Sequence, residues 1–123
     1  MKVIRNERII FVDVDETLVH HEKLPGTEPI NVPNTGCFRD ILVYANTPMV
    51  KILLEEDYRG ATIIVWSKGG YEWAEAVIKA LQLEFAVDII MSKPTAYLDD
   101  KEISEWLKDR VWISPETKYK QRS

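Results

Sequence analysis

Ile9-Ile10-Phe11-Val12-Asp13-Val14-Asp15-Glu16-Thr17-Leu18-Val19 decides how the rest of the chain is read. Its β-branched and aromatic residues predict a strand buried on both faces, as in the middle of a parallel sheet. The run ends in two carboxylates, Asp13 and Asp15, which a core does not tolerate unpaired. Open α/β sheets keep their ligands at the carboxyl ends of strands, so an acidic pair there marks a site. A lone Asp-x-Asp also fits a plain surface turn, and the residues that close the other strands decide between the two.

Downstream, His20 to Gly36 is rich in turn formers (Pro25-Gly26, Pro29, Pro33-Asn34). Ile30–Val32 and Phe38–Tyr44 flank its Asn-containing turn, Pro33 to Gly36, as two short strands of a hairpin projecting from the sheet edge. Thr47-Pro48 starts a helix, with Thr as N-cap and Pro at the first helical position. Met49, Val50, Leu53 and Leu54 recur at helical spacing, and Gly60 stops the helix. Thr62–Trp66 is a second buried strand and runs into Ser67-Lys68-Gly69-Gly70. The next helix carries Trp73, Ala74, Val77, Ile78 and Leu81 as its apolar stripe, so Trp66 and Trp73 read as core residues rather than stacking platforms. Val87–Met91 is a third strand, ahead of Ser92-Lys93-Pro94. A short strand at Ala96–Leu98 leads into Asp99-Asp100. A short helix around Ile103, Trp106 and Leu107 precedes a last strand at Val111–Ile113. Strands and helices alternating through short connections predict an α/β fold: a Rossmann-like parallel sheet with helices on both faces.

Size and composition narrow the classes. A chain of 123 residues with 46% hydrophobic and 29% charged residues is a globular protein large enough for one core. We read residues 1–116 as a single domain and 117–123 as a basic, solvated tail holding Lys118, Lys120 and Arg122. The net charge of −4, from 16 Lys and Arg against 20 Asp and Glu, argues against a generally basic nucleic-acid binder. The single cysteine, Cys37, excludes an intrachain disulfide and fits a reducing compartment. A phosphatase built on that thiol would need an Arg six positions on, where Val43 stands, so Cys37 reads as a small half-buried thiol. No stretch has the length of a membrane span, and Met1 to Arg8 lacks the apolar core of a signal peptide. The expected location is the cytoplasm.

Past successive strand ends come Asp13 and Asp15, then Ser67, then Lys93, then Asp99 and Asp100. In a parallel sheet these ends share one rim. Carboxylates at that density repel one another unless a hard divalent cation sits among them, and oxygen ligands suit Mg²⁺. A cation beside a hydroxyl, an ammonium and a Gly-Gly loop makes a pocket for a phosphate dianion. Read alone, Lys93 is a surface lysine and Asp99-Asp100 caps the helix that follows; only their place in the series lifts them.

The series resembles the haloacid dehalogenase superfamily. Asp13-Val14-Asp15-Glu16-Thr17-Leu18 is similar to its first motif, Ser67 to its second, Lys93 to its third and Asp99-Asp100 to its fourth, in family order. The resemblance implies a Mg²⁺-dependent phosphomonoester hydrolase. Asp13 would be the nucleophile that forms an aspartyl-phosphate, and Asp15 the general acid and base. Thr17, Ser67, Lys68 and Lys93 would hold the phosphate. Asp13, the backbone carbonyl of Asp15 and at least one of Asp99 and Asp100 would hold the metal. Asp15 marks the phosphatase and phosphotransferase branches, since the dehalogenases lack an acid there. Glu16 departs from the pattern, standing where Gly is common. The intervals between motifs leave no room for a cap domain, only a flap hairpin, so the rim is open to a phosphate on a macromolecule. A small metabolite would instead need a second subunit of a homo-oligomer to close the site. His20 and His21 read as exposed loop residues. Three alternatives follow: a polynucleotide 3′-phosphatase, for which the basic tail speaks and the net charge does not; a receiver-like domain, whose order of acids differs; and a silent phosphate-binding module, against which the intact acid and base argue.

Overall fold

A computed structural model of the chain describes residues 1–34, 39–114 and 120–121. Cys37, Phe38 and most of the basic tail, including Lys118 and Arg122, lie outside the described residues. The chain forms two compact units, Met1–Lys93 and Pro94–Ser123.

In the first unit, β1 (Ile9–Asp13), β5 (Thr62–Ser67) and β6 (Ile89–Ser92) form a parallel sheet in the order β1-β5-β6. Two helices, α1 (Thr47–Tyr58) and α2 (Tyr71–Ala80), flank it, which is the expected α/β, Rossmann-like arrangement. Each parallel connection carries a helix, as a crossover must. β2 (Val19–His20), β3 (Ile30–Asn34) and β4 (Arg39–Ala45) form a small antiparallel sheet in the order β2-β4-β3. The expected hairpin is thus present, with β2 added as a third strand. Between β5 and β6 the chain holds only α2 and one 3-10 turn, Glu84–Ala86, with no inserted cap domain.

The central strand β5 is the one buried on both faces: Ile63, Ile64 and Val65 all lie in the core. β1 departs from the expectation. Val12 is buried, but Ile9 and Phe11 are 41% and 48% exposed. Among the described residues β1 pairs only with β5, and its alternation turns Ile9 and Phe11 together to an open face while Val12 faces the core. Phe11 covers part of that face by stacking on Trp66, with ring centroids 4.2 Å apart.

α1 begins one residue earlier than the sequence suggests. Asn46, not Thr47, is the N-cap, and Pro48 sits in the first turn, where its missing N–H costs nothing. The helix ends at Gly60, whose φ of +91° is open to glycine at little cost; its N–H donates to the carbonyl of Asp57 at 2.9 Å.

The second unit holds α3 (Ile103–Leu107), β7 (Val111–Trp112) and β8 (Lys120–Gln121), the last two pairing antiparallel in a two-stranded sheet of their own. The strand expected at Ala96–Leu98 is absent, and Val111–Trp112 does not extend the parallel sheet. Three apolar residues just after Pro94 are too few to make a strand without a neighbour in register, and Tyr97 and Leu98 are exposed. Among the described residues, no helix is long and apolar enough to cross a membrane.

Candidate active site

Register builds the rim. Asp13 closes β1 opposite Trp66, and Ser67 closes β5 opposite Ser92, so the three parallel strands end together. Lys93 follows β6 directly, and its backbone N–H donates to the carbonyl of Ser67 at 2.9 Å. Residues 54 and 80 positions beyond Asp13 by number therefore arrive beside it because of strand pairing, not because of local sequence.

The loop after β1 alternates between core and surface. Val14 is fully buried, and Asp13 and Asp15 on either side keep about a third of their side chains exposed. The Val14 carbonyl accepts hydrogen bonds from the N–H groups of Thr17, Leu18 and Val19, which winds the loop tightly. Glu16 takes a φ of +61°, a left-handed conformation that glycine adopts most cheaply. This accounts for the glycine common at that position in the superfamily pattern. The Glu16 carboxylate lies 2.7 Å from His20 Nδ1.

Asn46 anchors the same loop from behind. It is buried, its Nδ2 donates to the Thr17 carbonyl at 3.0 Å, and its backbone N–H donates to the Leu18 carbonyl at 2.8 Å. Asn46→Ala should therefore cost about 1–2 kcal/mol in urea unfolding, because a buried side chain is cut back and the part-buried Thr17 carbonyl loses its donor. A change below about 0.5 kcal/mol would show that the loop holds itself.

Asp13 has two partners on the rim. Thr17 Oγ1 donates to its Oδ2 at 3.1 Å, and Lys93 Nζ lies 3.3 Å from its Oδ1. Lys93 also sits 5.9 Å from the centroid of the Trp66 ring, which steers its ammonium along the sheet edge. Ser67 is fully buried, and its Oγ accepts the Gly69 N–H at 3.0 Å, turning the Ser67-Lys68-Gly69-Gly70 loop. Space at Gly69 is tight: a Cβ there would lie 3.2 Å from Trp73 Cδ1 and 3.3 Å from Ser67 Oγ, so a side chain would need one of them to give way slightly. Lys68 is exposed on that loop. Ser92 Oγ accepts the first N–H of α2, from Tyr71, at 2.9 Å, tying the helix start to β6.

Two aromatic residues read as bystanders in the sequence meet Asp15 instead. Trp73 Nε1 donates to Asp15 Oδ1 at 3.0 Å, and His21 Nε2 lies 2.8 Å from the same oxygen. The two rings stack at 6.1 Å between centroids. Trp73 packs against the core, as expected, and through its Nε1–H it also forms a wall of the site. The signal in the sequence was its place in the first turn of the helix that follows the Ser67 loop. A groove of about 1220 Å³ opens beside Asp15, lined among others by His21, Asn31, Pro33, Tyr71 and Trp73.

In the second unit, Asp99 and Asp100 are exposed, and Asp99 Oδ1 accepts the Lys101 N–H at 3.0 Å. Among the described residues, no three His, Cys, Asp or Glu side chains are grouped to hold a metal ion by themselves. The donors on the rim are nonetheless all oxygen. One or two carboxylates, completed by water and substrate phosphate, are the usual set for Mg²⁺, so Asp13 and the Asp15 carbonyl fit that ion as part of a shell.

The sheet, the acidic loop at its first strand end and the lysine after its third are the arrangement expected of the haloacid dehalogenase class. A family model described as NLI interacting factor-like phosphatase matches residues 8–109, and the chain belongs to that family. No curated protein and no solved structure matches the chain. Membership makes the chain a phosphoric monoester hydrolase, and phosphatases of this type generally use Mg²⁺.

Proposed function

We propose that the chain hydrolyses phosphate monoesters through an aspartyl-phosphate on Asp13, with Asp15 as general acid and then general base. The observation that carries this reading is the placement of Asp13: its carboxylate sits on the open rim between the Thr17 hydroxyl and the Lys93 ammonium. In the first step an Asp13 oxygen forms a bond to phosphorus while the ester oxygen–phosphorus bond breaks. Asp15 gives its proton to the departing alkoxide. In the second step Asp15 takes a proton from water, whose oxygen bonds to phosphorus as the Asp13–phosphorus bond breaks. Inorganic phosphate leaves, and both carboxyl groups return to their starting state.

Lys93 lies where it can pass from Asp13 to a phosphoryl oxygen as negative charge builds there. Thr17 and Lys68 would complete the phosphate contacts, while Ser67, fully buried with its Oγ on the Gly69 N–H, would shape the loop behind them. Asp13, the carbonyl of Asp15 and at least one of Asp99 and Asp100 would hold Mg²⁺, which supplies charge neutralisation at the phosphoryl oxygens. Replacing Asp99 and Asp100 together by Ala should raise the Mg²⁺ concentration needed for half-maximal rate by about tenfold, the loss of one good carboxylate ligand. An unchanged Mg²⁺ dependence would remove that pair from the metal shell.

The groove lies on the Asp15 side, so it receives the leaving group. Its wall carries Asp15, Glu72 and Glu75 against Lys79, which is paired with Glu75, and this surplus of acid disfavours a polyanion such as a polynucleotide 3′ end. Turnover of 4-nitrophenyl phosphate, sugar phosphates, phosphopeptides and 3′-phosphorylated oligonucleotides, with and without Mg²⁺, tests the reading. Mg²⁺-dependent release of phosphate supports it; no release from any of them with Mg²⁺ present overturns it.

A further inference from the structure

Asp15 must do more than carry a proton: it must carry it on the oxygen that faces the leaving group. A carboxyl group has two oxygens and can rotate, and nothing in the local sequence says which one is used. The structure fixes this from outside the loop. Trp73, on α2, donates its Nε1–H to Oδ1 at 3.0 Å, and His21 Nε2 approaches the same atom at 2.8 Å.

An indole N–H has no acceptor role, so Oδ1 is an acceptor in this contact. The carbonyl oxygen of a carboxylic acid is a better acceptor than its hydroxyl oxygen, so the acidic proton is favoured on the other oxygen, Oδ2. When His21 Nε2 carries its proton, it adds a second donor to Oδ1. The stacked rings stiffen both donors. Gly69 lets the indole come this close, because a Cβ there would press on Trp73 Cδ1.

We infer that Trp73 is a positioning residue for general acid catalysis, holding Asp15 by Oδ1 so that Oδ2 presents the proton to the leaving oxygen, with His21 as its second support. The inference rests on the acid role given to Asp15 above. It also places the indole at the mouth of the leaving-group groove, where the alcohol part of the substrate passes.

Leaving groups separate this role from a merely structural one. Nitrophenolate departs without needing a proton, whereas a benzyl alkoxide needs one. The value of kcat/KM reports the step in which the ester bond breaks, so the ratio for benzyl phosphate over 4-nitrophenyl phosphate reads the acid alone. Trp73→Phe should lower that ratio by about tenfold or more, and Asp15→Asn by about 100-fold or more, within the range of general acid catalysis. His21→Leu should lower it by a smaller factor than Trp73→Phe. Should Trp73→Phe not fold, β-(3-benzothienyl)alanine incorporated at position 73 keeps the ring shape without the N–H, and the same fall is expected. A ratio unchanged in the Trp73 variants while Asp15→Asn lowers it overturns the inference and leaves the acid standing. A ratio unchanged in Asp15→Asn removes the acid role, and the inference with it.

Discussion

Asp13→Asn is expected to lower turnover of any accepted phosphate ester by about 10³-fold or more, since removing a covalent nucleophile removes the path itself rather than tuning it. The substitution is nearly isosteric. The amide keeps an oxygen that can accept the Thr17 hydroxyl proton at the position of Oδ2, so the loop is expected to keep its shape. What changes is chemistry. An amide oxygen is a poor nucleophile towards phosphorus, and the negative charge opposite Lys93 is lost. Two measurements together test the assignment. Wild-type enzyme quenched during turnover and reduced with borohydride should yield homoserine at position 13, the product of a reduced aspartyl-phosphate. Asp13→Asn treated the same way should not. If Asp13→Asn retains a rate within tenfold of wild type, water attacks the ester directly and Asp13 is only a ligand.

The ingredients of this site differ in how visible they were. Asp13, Ser67 and Lys93 could be found because each stands just past a hydrophobic strand, and parallel pairing brings such ends together without side-chain detail. The Trp73–Asp15 bond could not, because it joins residues 58 positions apart and a tryptophan at helical spacing looks like core. His21 was equally hidden: an exposed loop histidine acquires a role only when a neighbouring oxygen is known. Asn46 carries no pattern at all, since a buried amide that pins a distant carbonyl is a fact of tertiary packing. The hydrophobicity of Ile9–Val12 identified a strand but not its rank in the sheet, for an edge strand beside a stacked tryptophan and a central strand draw on the same residues. Glu16 illustrates the reverse case. Its oddity was visible as a departure from the pattern, and its left-handed backbone then supplied the reason.

Arg8→Met should destabilise the first unit by about 2–3 kcal/mol, a large part of the stability of a domain this small. Glu56, on the inner side of α1, is 1% exposed, and Arg8 meets it with both arms: Nε on Oε1 at 2.9 Å and Nη2 on Oε2 at 2.7 Å. Such a fork satisfies a carboxylate in a way a lysine does not, so Arg8→Lys should recover only part of the loss. The guanidinium itself is half exposed, which screens the attraction and keeps the expected cost below that of a fully buried pair. The same corner is tied by Asn6, whose Nδ2 donates to the Gly60 carbonyl at 2.7 Å, so the segment ahead of β1 holds the α1–β5 junction. Urea unfolding of Arg8→Met, Glu56→Leu and the double variant closes a cycle. Because most of the damage comes from leaving a buried carboxylate without its guanidinium, the double variant should be more stable than Arg8→Met alone. A double variant whose loss equals the sum of the two single losses would mean that Arg8 and Glu56 act independently, and that the corner is held by packing and by Asn6 instead.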